Sequence, residues 1–196
     1  MNKQTKELLY QMLETEMGGV QIYTTALECV INDELKEEWQ GYLQETHHHV
    51  EVMHELFAKM ELDPKVQTPG RQVVRHIGES LVKAMKMAKQ SGVPEAAELV
   101  ACECVVLAET KDHLNWELLS RCAEAAKGEE KRVLSAACEE VENEEDEHIY
   151  HSKGWCRELW IQSLGMPAVL PPPEEEKEVK TAIGAARAEQ SREKML

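Results

Sequence analysis

The stretch NEEDEHIYH, residues 143–151, brings four carboxylates and two histidines together in nine residues. Glu145 and His148 are three residues apart, so on a helix they lie on one side, about 300° round and about 4.5 Å along the axis. That side is otherwise largely apolar, since steps of three and four give Leu134, Cys138, Val141, Glu145, His148, Ser152, Trp155 and Leu159. An ionised carboxylate on a core-facing stripe is costly unless an opposite charge compensates it. The stretch therefore predicts a helix that carries a buried polar site.

The same pattern occurs between residues 35 and 60, on a second predicted helix. Its core-facing stripe is Leu35, Trp39, Tyr42, Glu45, His48 or His49, Val52, Leu56 and Met60. Glu45 and His48 repeat the Glu-x-x-His spacing on this stripe. The histidine run His47 to His49 is a weak indication by itself, because one member of any such run must face inward. We take His48, which completes the motif, as the predicted ligand.

Two further helices contribute carboxylates to the predicted core. Glu16 lies among apolar residues of the first helix, seven residues before Tyr23. On the third long helix, Glu109 and His113 share the apolar stripe and Asp112 lies on an adjoining strip, so the pattern leaves the ligand of this helix open. Glu109 is the first choice and Asp112 the second. The predicted metal ligands are Glu16, Glu45, His48, Glu109, Asp112, Glu145 and His148.

A set of buried carboxylates with two imidazoles indicates a two-metal site. Four carboxylates carry four negative charges, which two divalent cations would neutralise. Carboxylate oxygens can bridge both ions, and each imidazole can bind one of them. The mixture of oxygen and nitrogen ligands suits iron or manganese better than zinc, whose structural sites favour sulfur and nitrogen. We therefore expect two iron ions, with manganese as the alternative, and protons on some of the carboxylates when no metal is bound.

Helical periodicity extends along most of the chain, and no strand alternation interrupts it. Four long helices are predicted at about residues 5–30, 34–62, 94–127 and 129–164. The connection 64–92 is long enough to cross the end of a bundle, and residues 73–88 within it could form a short amphipathic helix. We predict one all-α domain at residues 1–166. Residues 167–196, with a proline-rich hinge and the thin apolar stripe Val179, Ile183 and Ala186, are expected to form a charged tail.

Composition excludes several classes of function. The formal net charge of −15 argues against binding to nucleic acid or to an anionic membrane surface, and it favours the attraction of cations. No apolar run approaches the roughly 20 residues of a transmembrane helix, and the first residues do not resemble a signal peptide. The six cysteines form no Cys-x-x-Cys pair, so a rubredoxin-type or zinc-ribbon site is not expected. We expect a cytoplasmic protein.

The order of these motifs resembles a known superfamily. The motifs are Glu16…Tyr23, Glu45-x-x-His48, Glu109-x-x-Asp112 and Glu145-x-x-His148. Over about residues 5–160 they resemble the ferritin-like di-iron carboxylate proteins, and among these the rubrerythrin-like domains most of all. The resemblance implies a four-helix bundle with a long crossover connection, a di-iron site, and peroxide or O₂ as the reactant. Three features depart from the pattern: the absent rubredoxin module, Asp112 in place of a glutamate, and the charged tail.

The resemblance also sets expectations for activity and partners. Tyr23 would approach the metals and serve as a catalytic hydrogen-bond donor or redox-active group. An oxidoreductase without its own electron-transfer centre would need an external electron donor, and we expect a homo-oligomer, with a dimer as the first choice. Two alternatives stay open. One is a ferroxidase that handles iron, and the other is a metal-free helical interaction protein.

Overall fold

The computed structural model describes residues 1–172 and is all-helical. Its five helices are α1 Lys3–Ala26, α2 Asp33–Lys59, α3 Pro69–Gln90, α4 Pro94–Ala125 and α5 Gly128–Ser163. None of the residues in this range lies in a strand, so the predicted all-α class is confirmed. The tail from residue 173 onward, with its stripe Val179, Ile183 and Ala186, lies outside the described residues.

The helix boundaries follow local chemistry. Asn2, Asn32 and Thr68 each accept a hydrogen bond from a backbone N–H of the following first turn, which satisfies one of the donors left free at a helix start. Proline occupies the first position of α3 and of α4, where its missing N–H costs nothing. The connection between α2 and α4 therefore contains a full helix of 22 residues, longer than the sequence predicts.

The helices contact one another in a closed ring. Within residues 1–172, α1 contacts α2 and α4, and α5 contacts the same two helices. Helices α2 and α4 do not contact each other, while α3 packs across α1 and α4. The segment that contains α3 thus connects α2 to α4, which lies diagonally opposite α2 in the ring. No helix in the described range is both long enough and apolar enough to cross a membrane.

Two apolar clusters fill the interior, one towards each end. The first includes Tyr23, Trp39, Met85 and Trp155. The second includes Leu13, Phe57, Trp116 and Leu134. On each of the helices α1, α2, α4 and α5 the residues of one cluster are followed along the chain by those of the other. The middle of these four helices, where the predicted polar residues lie, is therefore enclosed by apolar packing on both sides.

A buried ion pair attaches α3 to α1. Arg71 donates from Nε to Glu14 Oε2 at 2.6 Å, and its guanidinium also bonds the carbonyls of Pro64 and Val66. Arg75 holds the other Glu14 oxygen at 2.6 Å. The side chains of Glu14 and Arg71 are only 7% and 4% exposed, whereas that of Arg75 is 40% exposed. Burial opposes ionisation of Glu14, but the two guanidinium groups outweigh it and hold its pKa below the usual value.

We expect Arg71→Leu to destabilise the fold by about 3 kcal/mol, because it leaves two carbonyls without this donor and a buried carboxylate without its only buried cation. Arg75→Leu should cost about 1 kcal/mol or less, because this guanidinium is largely solvated. Urea unfolding of the two variants measures the difference. Equal losses would show that the Arg71 bonds do not attach α3 in the way proposed.

Candidate metal centre

Six ionisable side chains are buried in the middle of the ring of helices. None is more than 5% exposed, and they come from α1, α2, α4 and α5. They are Glu16, His49, Glu109, Asp112, Glu145 and His148. We call this set the polar layer. Carboxylates are almost never fully buried unless a partner compensates them, so this layer is the candidate functional site.

The donor atoms of the polar layer converge on two overlapping groups. His49, Glu145 and His148 form one group, in which a ligand atom from each residue lies within 4.8 Å of the other two. Glu16, Asp112 and Glu145 form the second group by the same criterion. Because Glu145 belongs to both, its two oxygens could bridge a pair of cations. Each group could hold one ion with three protein ligands.

The two histidines are held from outside by half-exposed carboxylates. His49 Nε2 lies 2.7 Å from Glu144 Oε2, and His148 Nε2 lies 2.7 Å from Glu45 Oε2. A histidine that binds a metal through one ring nitrogen commonly bonds a carboxylate through the other. These outer bonds leave Nδ1 of each ring facing the carboxylates of the polar layer.

The inner histidine nitrogens meet the buried carboxylates without forming well-aligned hydrogen bonds. His49 Nδ1 lies 2.9 Å from Glu145 Oε1, but the two atoms are out of line for a hydrogen bond. His148 Nδ1 lies 3.8 Å from Glu109 Oε2. The imidazoles are thus close enough to share a cation with the carboxylates.

Several oxygens of the polar layer have no hydrogen-bond partner among the described residues. These atoms are Glu16 Oε2, Glu109 Oε2, Asp112 Oδ1, Glu145 Oε1 and Glu145 Oε2. The second oxygen of Glu16 accepts a bond from Trp116 Nε1 at 2.8 Å, which fixes the orientation of that carboxylate. Buried polar atoms in folded proteins are nearly always bonded. Five buried carboxylate oxygens without hydrogen-bond partners in one place are therefore suited to bind a cation.

Burial and mutual repulsion disfavour the charged carboxylates. Burial raises the pKa of Glu109 and of Glu145 to about 7, and it raises the pKa of Asp112 well above its usual range. Burial alone would lower the pKa of His49, but Glu145 and Glu16 reverse the effect and raise it to about 11. Without metal, the layer is therefore expected to hold protons near neutral pH.

The expectation that His48 faces the core is wrong. Its side chain is 46% exposed and pairs at 3.2 Å with Glu140, which is 52% exposed. The neighbouring His49 is completely buried and joins the polar layer. One residue turns a helix by about 100°, and here that turn puts His49 on the core side and His48 on the solvent side. The buried residues Val52 and Met53, three and four positions after His49, were the signal in the sequence that favoured it.

Glu45 lies at the edge of the polar layer, outside the group of inward-facing ligands. Its side chain is 39% exposed and binds the outer nitrogen of His148. That hydrogen bond outweighs burial and lowers the pKa of Glu45. Three residues before His49 stands Thr46, whose hydroxyl donates to the Tyr42 carbonyl at 2.7 Å. Helix α2 thus supplies one inward ligand atom, from His49. Sequence reasoning missed Glu144, the outer partner of His49, because this residue lies off the apolar stripe of α5.

The structure brings both candidates of the third long helix into the polar layer. Glu109 lies beside His148, and Asp112 joins Glu16 and Glu145. His113 lies outside the layer, 18% exposed and close to Asp146. Both Glu109 and Asp112 are therefore candidate ligands, and α4 contributes two carboxylates to the layer.

Tyr23 is buried next to the polar layer. Its ring lies 6.0 Å from that of His148, centroid to centroid, and is fully excluded from solvent. The hydroxyl makes no well-aligned hydrogen bond with any residue in the described part of the chain. Burial, with the neighbouring Glu109 carboxylate, raises the pKa of this phenol well above its usual value. Tyr23 therefore stays protonated and can donate a hydrogen bond into the layer.

These residues define a buried carboxylate–histidine cluster with the composition of a metal centre. Among known proteins, the chain matches no family model, no curated protein and no solved structure. Its function is therefore inferred from its own residues.

We expect the metal-free protein to be more stable at pH 6 than at pH 8. Glu109 and Glu145 have pKa values of about 7 when folded against a usual value of 4.5, so the folded chain binds protons in this window that the unfolded chain does not. His49, with a folded pKa of about 11 against 6.5, acts in the same direction. The free energy of unfolding should therefore fall by about 2 kcal/mol or more between pH 6 and pH 8.

Urea unfolding in the presence of a chelator measures this pH dependence. Glu145→Gln, which removes one of the buried charges, should flatten the curve. A stability that stays constant or rises from pH 6 to pH 8 would contradict the description of the polar layer.

Proposed function

We propose that the chain is a ferritin-like di-metal carboxylate oxidoreductase that binds two iron ions and reduces peroxide or O₂ with electrons from an external donor. The observation that carries the proposal is the polar layer, with six buried candidate ligand residues and five carboxylate oxygens that have no hydrogen-bond partner in residues 1–172. Manganese is the alternative metal. A homodimer remains the expected assembly.

The arrangement of the helices supports a ferritin-like bundle. Helices α1, α2, α5 and α4 contact one another in a ring, and α3 lies across one side. Di-iron bundles of this class take one glutamate from each of two helices and a Glu-x-x-His pair from each of the other two. The corresponding residues here are Glu16 on α1, Glu109 on α4, Thr46 and His49 on α2, and Glu145 and His148 on α5. Thr46 stands where that pattern has a glutamate, and Asp112 restores the fourth carboxylate.

The charge of the polar layer also supports the binding of cations. In the described part of the chain, the ion pairs of Glu16, Glu109 and Glu145 are with imidazoles only. Four buried carboxylates outnumber two imidazoles, so the site is net negative once its carboxylates have lost their protons. A buried charge that lacks a partner of opposite charge destabilises a protein by several kcal/mol. Two divalent cations would neutralise the four carboxylates.

The residues around the layer would orient its ligands and supply protons. Two reduced iron ions bound here would provide two electrons to peroxide or O₂. Trp116 holds one oxygen of Glu16, so that the other points into the layer. The Tyr23 hydroxyl, beside Glu109, is placed to donate a hydrogen bond to a small oxidant. The apolar clusters on both sides exclude bulk water.

We expect His49→Ala to lower the affinity for Mn²⁺ or Fe²⁺ at least about 100-fold, because a ligand of one ion is lost. His48→Ala is the matched control, since it removes the same group one residue away on the exposed side. Its affinity should stay within about twofold of the wild type. Titration of both metal-free variants measures the difference. A larger effect of His48→Ala would restore the original sequence assignment.

Metal analysis followed by turnover assays tests the proposed activity. We expect about two iron ions per chain and peroxide consumption that depends on an added reductant. Oxidation of Fe²⁺ with release of the product, without reductant-dependent turnover, would instead indicate a ferroxidase. A purified protein that binds neither Fe²⁺ nor Mn²⁺ would leave a metal-free helical interaction protein as the better interpretation.

A further inference from the structure

A cleft of about 230 Å³ opens on the surface between α4 and α5. Its lining includes His113 and Glu117 from α4, and Glu142 and Asp146 from α5. Each pair is four residues apart, so both members lie on the same side of their helix. These four residues give the cleft one imidazole and three carboxylates from two facing helices, and Glu124 and Glu145 also line it.

The polar groups of the cleft lie close together. His113 Nδ1 is 3.4 Å from Asp146 Oδ1, and His113 Nε2 is 3.6 Å from Glu117 Oε1. The side chains of His113 and Asp146 are 18% and 29% exposed, and that of Glu117 is 56% exposed. Arg121 also lines the cleft, but it pairs with Glu124 at 3.1 Å, so its charge is offset locally. The cleft as a whole is acidic.

The inner wall of the cleft belongs to the polar layer. Glu145 lines the cleft, is 2% exposed, and has no hydrogen-bond partner for either carboxylate oxygen among the described residues. Trp116 lines it as well and donates its indole N–H to Glu16. Two residues thus connect the cleft directly to the buried carboxylates. An ion in the cleft would meet an unbonded oxygen of Glu145 next.

We propose that the α4–α5 cleft is the route by which divalent cations reach the polar layer, with the carboxylates of Glu117 and Asp146 attracting them into it. This inference rests on the proposed function of the layer. The mixed imidazole and carboxylate ligands fit a first-row divalent ion such as Fe²⁺, Mn²⁺ or Co²⁺. Glu117 and Asp146 lie against opposite nitrogens of the His113 ring, so they do not converge on one ion, and a cation attracted to the cleft is free to move inward.

A second acidic cleft, between α2 and α5, is a rival route. It has a volume of about 370 Å³ and is lined by glutamates that include Glu37, Glu45 and Glu147. The carboxylate of this cleft that contacts the polar layer, Glu45, already binds His148 at 2.7 Å. The α4–α5 cleft instead ends on Glu145, whose Oε2 has neither a hydrogen bond nor an ion pair among the described residues. This difference favours the α4–α5 cleft.

The rate of Co²⁺ uptake tests the route. Metal-free full-length protein is mixed with Co²⁺ in a stopped-flow instrument, and the visible absorption of bound Co²⁺ reports loading. We expect the double variant Glu117→Gln with Asp146→Asn to take up Co²⁺ at least about fivefold more slowly than the wild type, because the local attraction for cations is lost. Release to a chelator should slow by the same factor. The final occupancy and affinity should stay within about twofold of the wild type.

The matched control is Glu37→Gln with Glu147→Gln, which removes the same two charges from the rival cleft. It should change the loading rate less than twofold. Equal slowing in both double variants would overturn the inference, because it would trace the effect to net charge. So would a loss of affinity in the Glu117–Asp146 variant, which would make these residues ligands of the final site. A wild type that takes up no Co²⁺, Mn²⁺ or Fe²⁺ would overturn the proposed function, and the inference with it.

Discussion

Repulsion among four buried carboxylates is the constraint on which the rest of the structure depends. Glu16, Glu109, Asp112 and Glu145 lie between two apolar clusters that shield them from water. Such an arrangement lowers the stability of the empty fold, and proteins retain costly polar sites of this kind mainly where function requires them. Protons offset part of the repulsion in the metal-free state. Two divalent cations would offset all of it, so metal binding and folding are expected to be linked.

The surrounding structure keeps these groups in place. Outer bonds from Glu45 and Glu144 orient the two histidines, and the Trp116 indole orients Glu16. Helix α3, attached through Arg71 and Glu14, packs against α1 and α4, the two helices that contribute Glu16, Glu109 and Asp112. The Arg71–Glu14 ion pair and the polar layer therefore share helix α1, which carries both Glu14 and Glu16. The acidic cleft between α4 and α5 gives this otherwise enclosed layer a connection to the surface.

Much of the site could be predicted from helical periodicity, because a long apolar stripe defines a face within about one residue. Glu16, Glu109, Glu145 and His148 are all buried where their stripes placed them. Helix α2 was harder, since three consecutive histidines cover most of the helix circumference and an intact Glu-x-x-His spacing favoured the wrong one. Glu45 and Glu144 lie at the boundary between the buried and exposed faces, where periodicity does not distinguish a ligand from an outer hydrogen-bond partner. That distinction depends on how the helices pack against one another, and the sequence pattern of a single helix does not contain this information.

The most direct test of the account is anomalous diffraction from crystals of the protein grown with Mn²⁺. Two anomalous peaks inside the polar layer, both in contact with Glu145 and one also in contact with His49, are the predicted result. Peaks confined to the acidic surface, or a single peak at the exposed His48, would contradict the claim that the buried carboxylates form a two-metal centre.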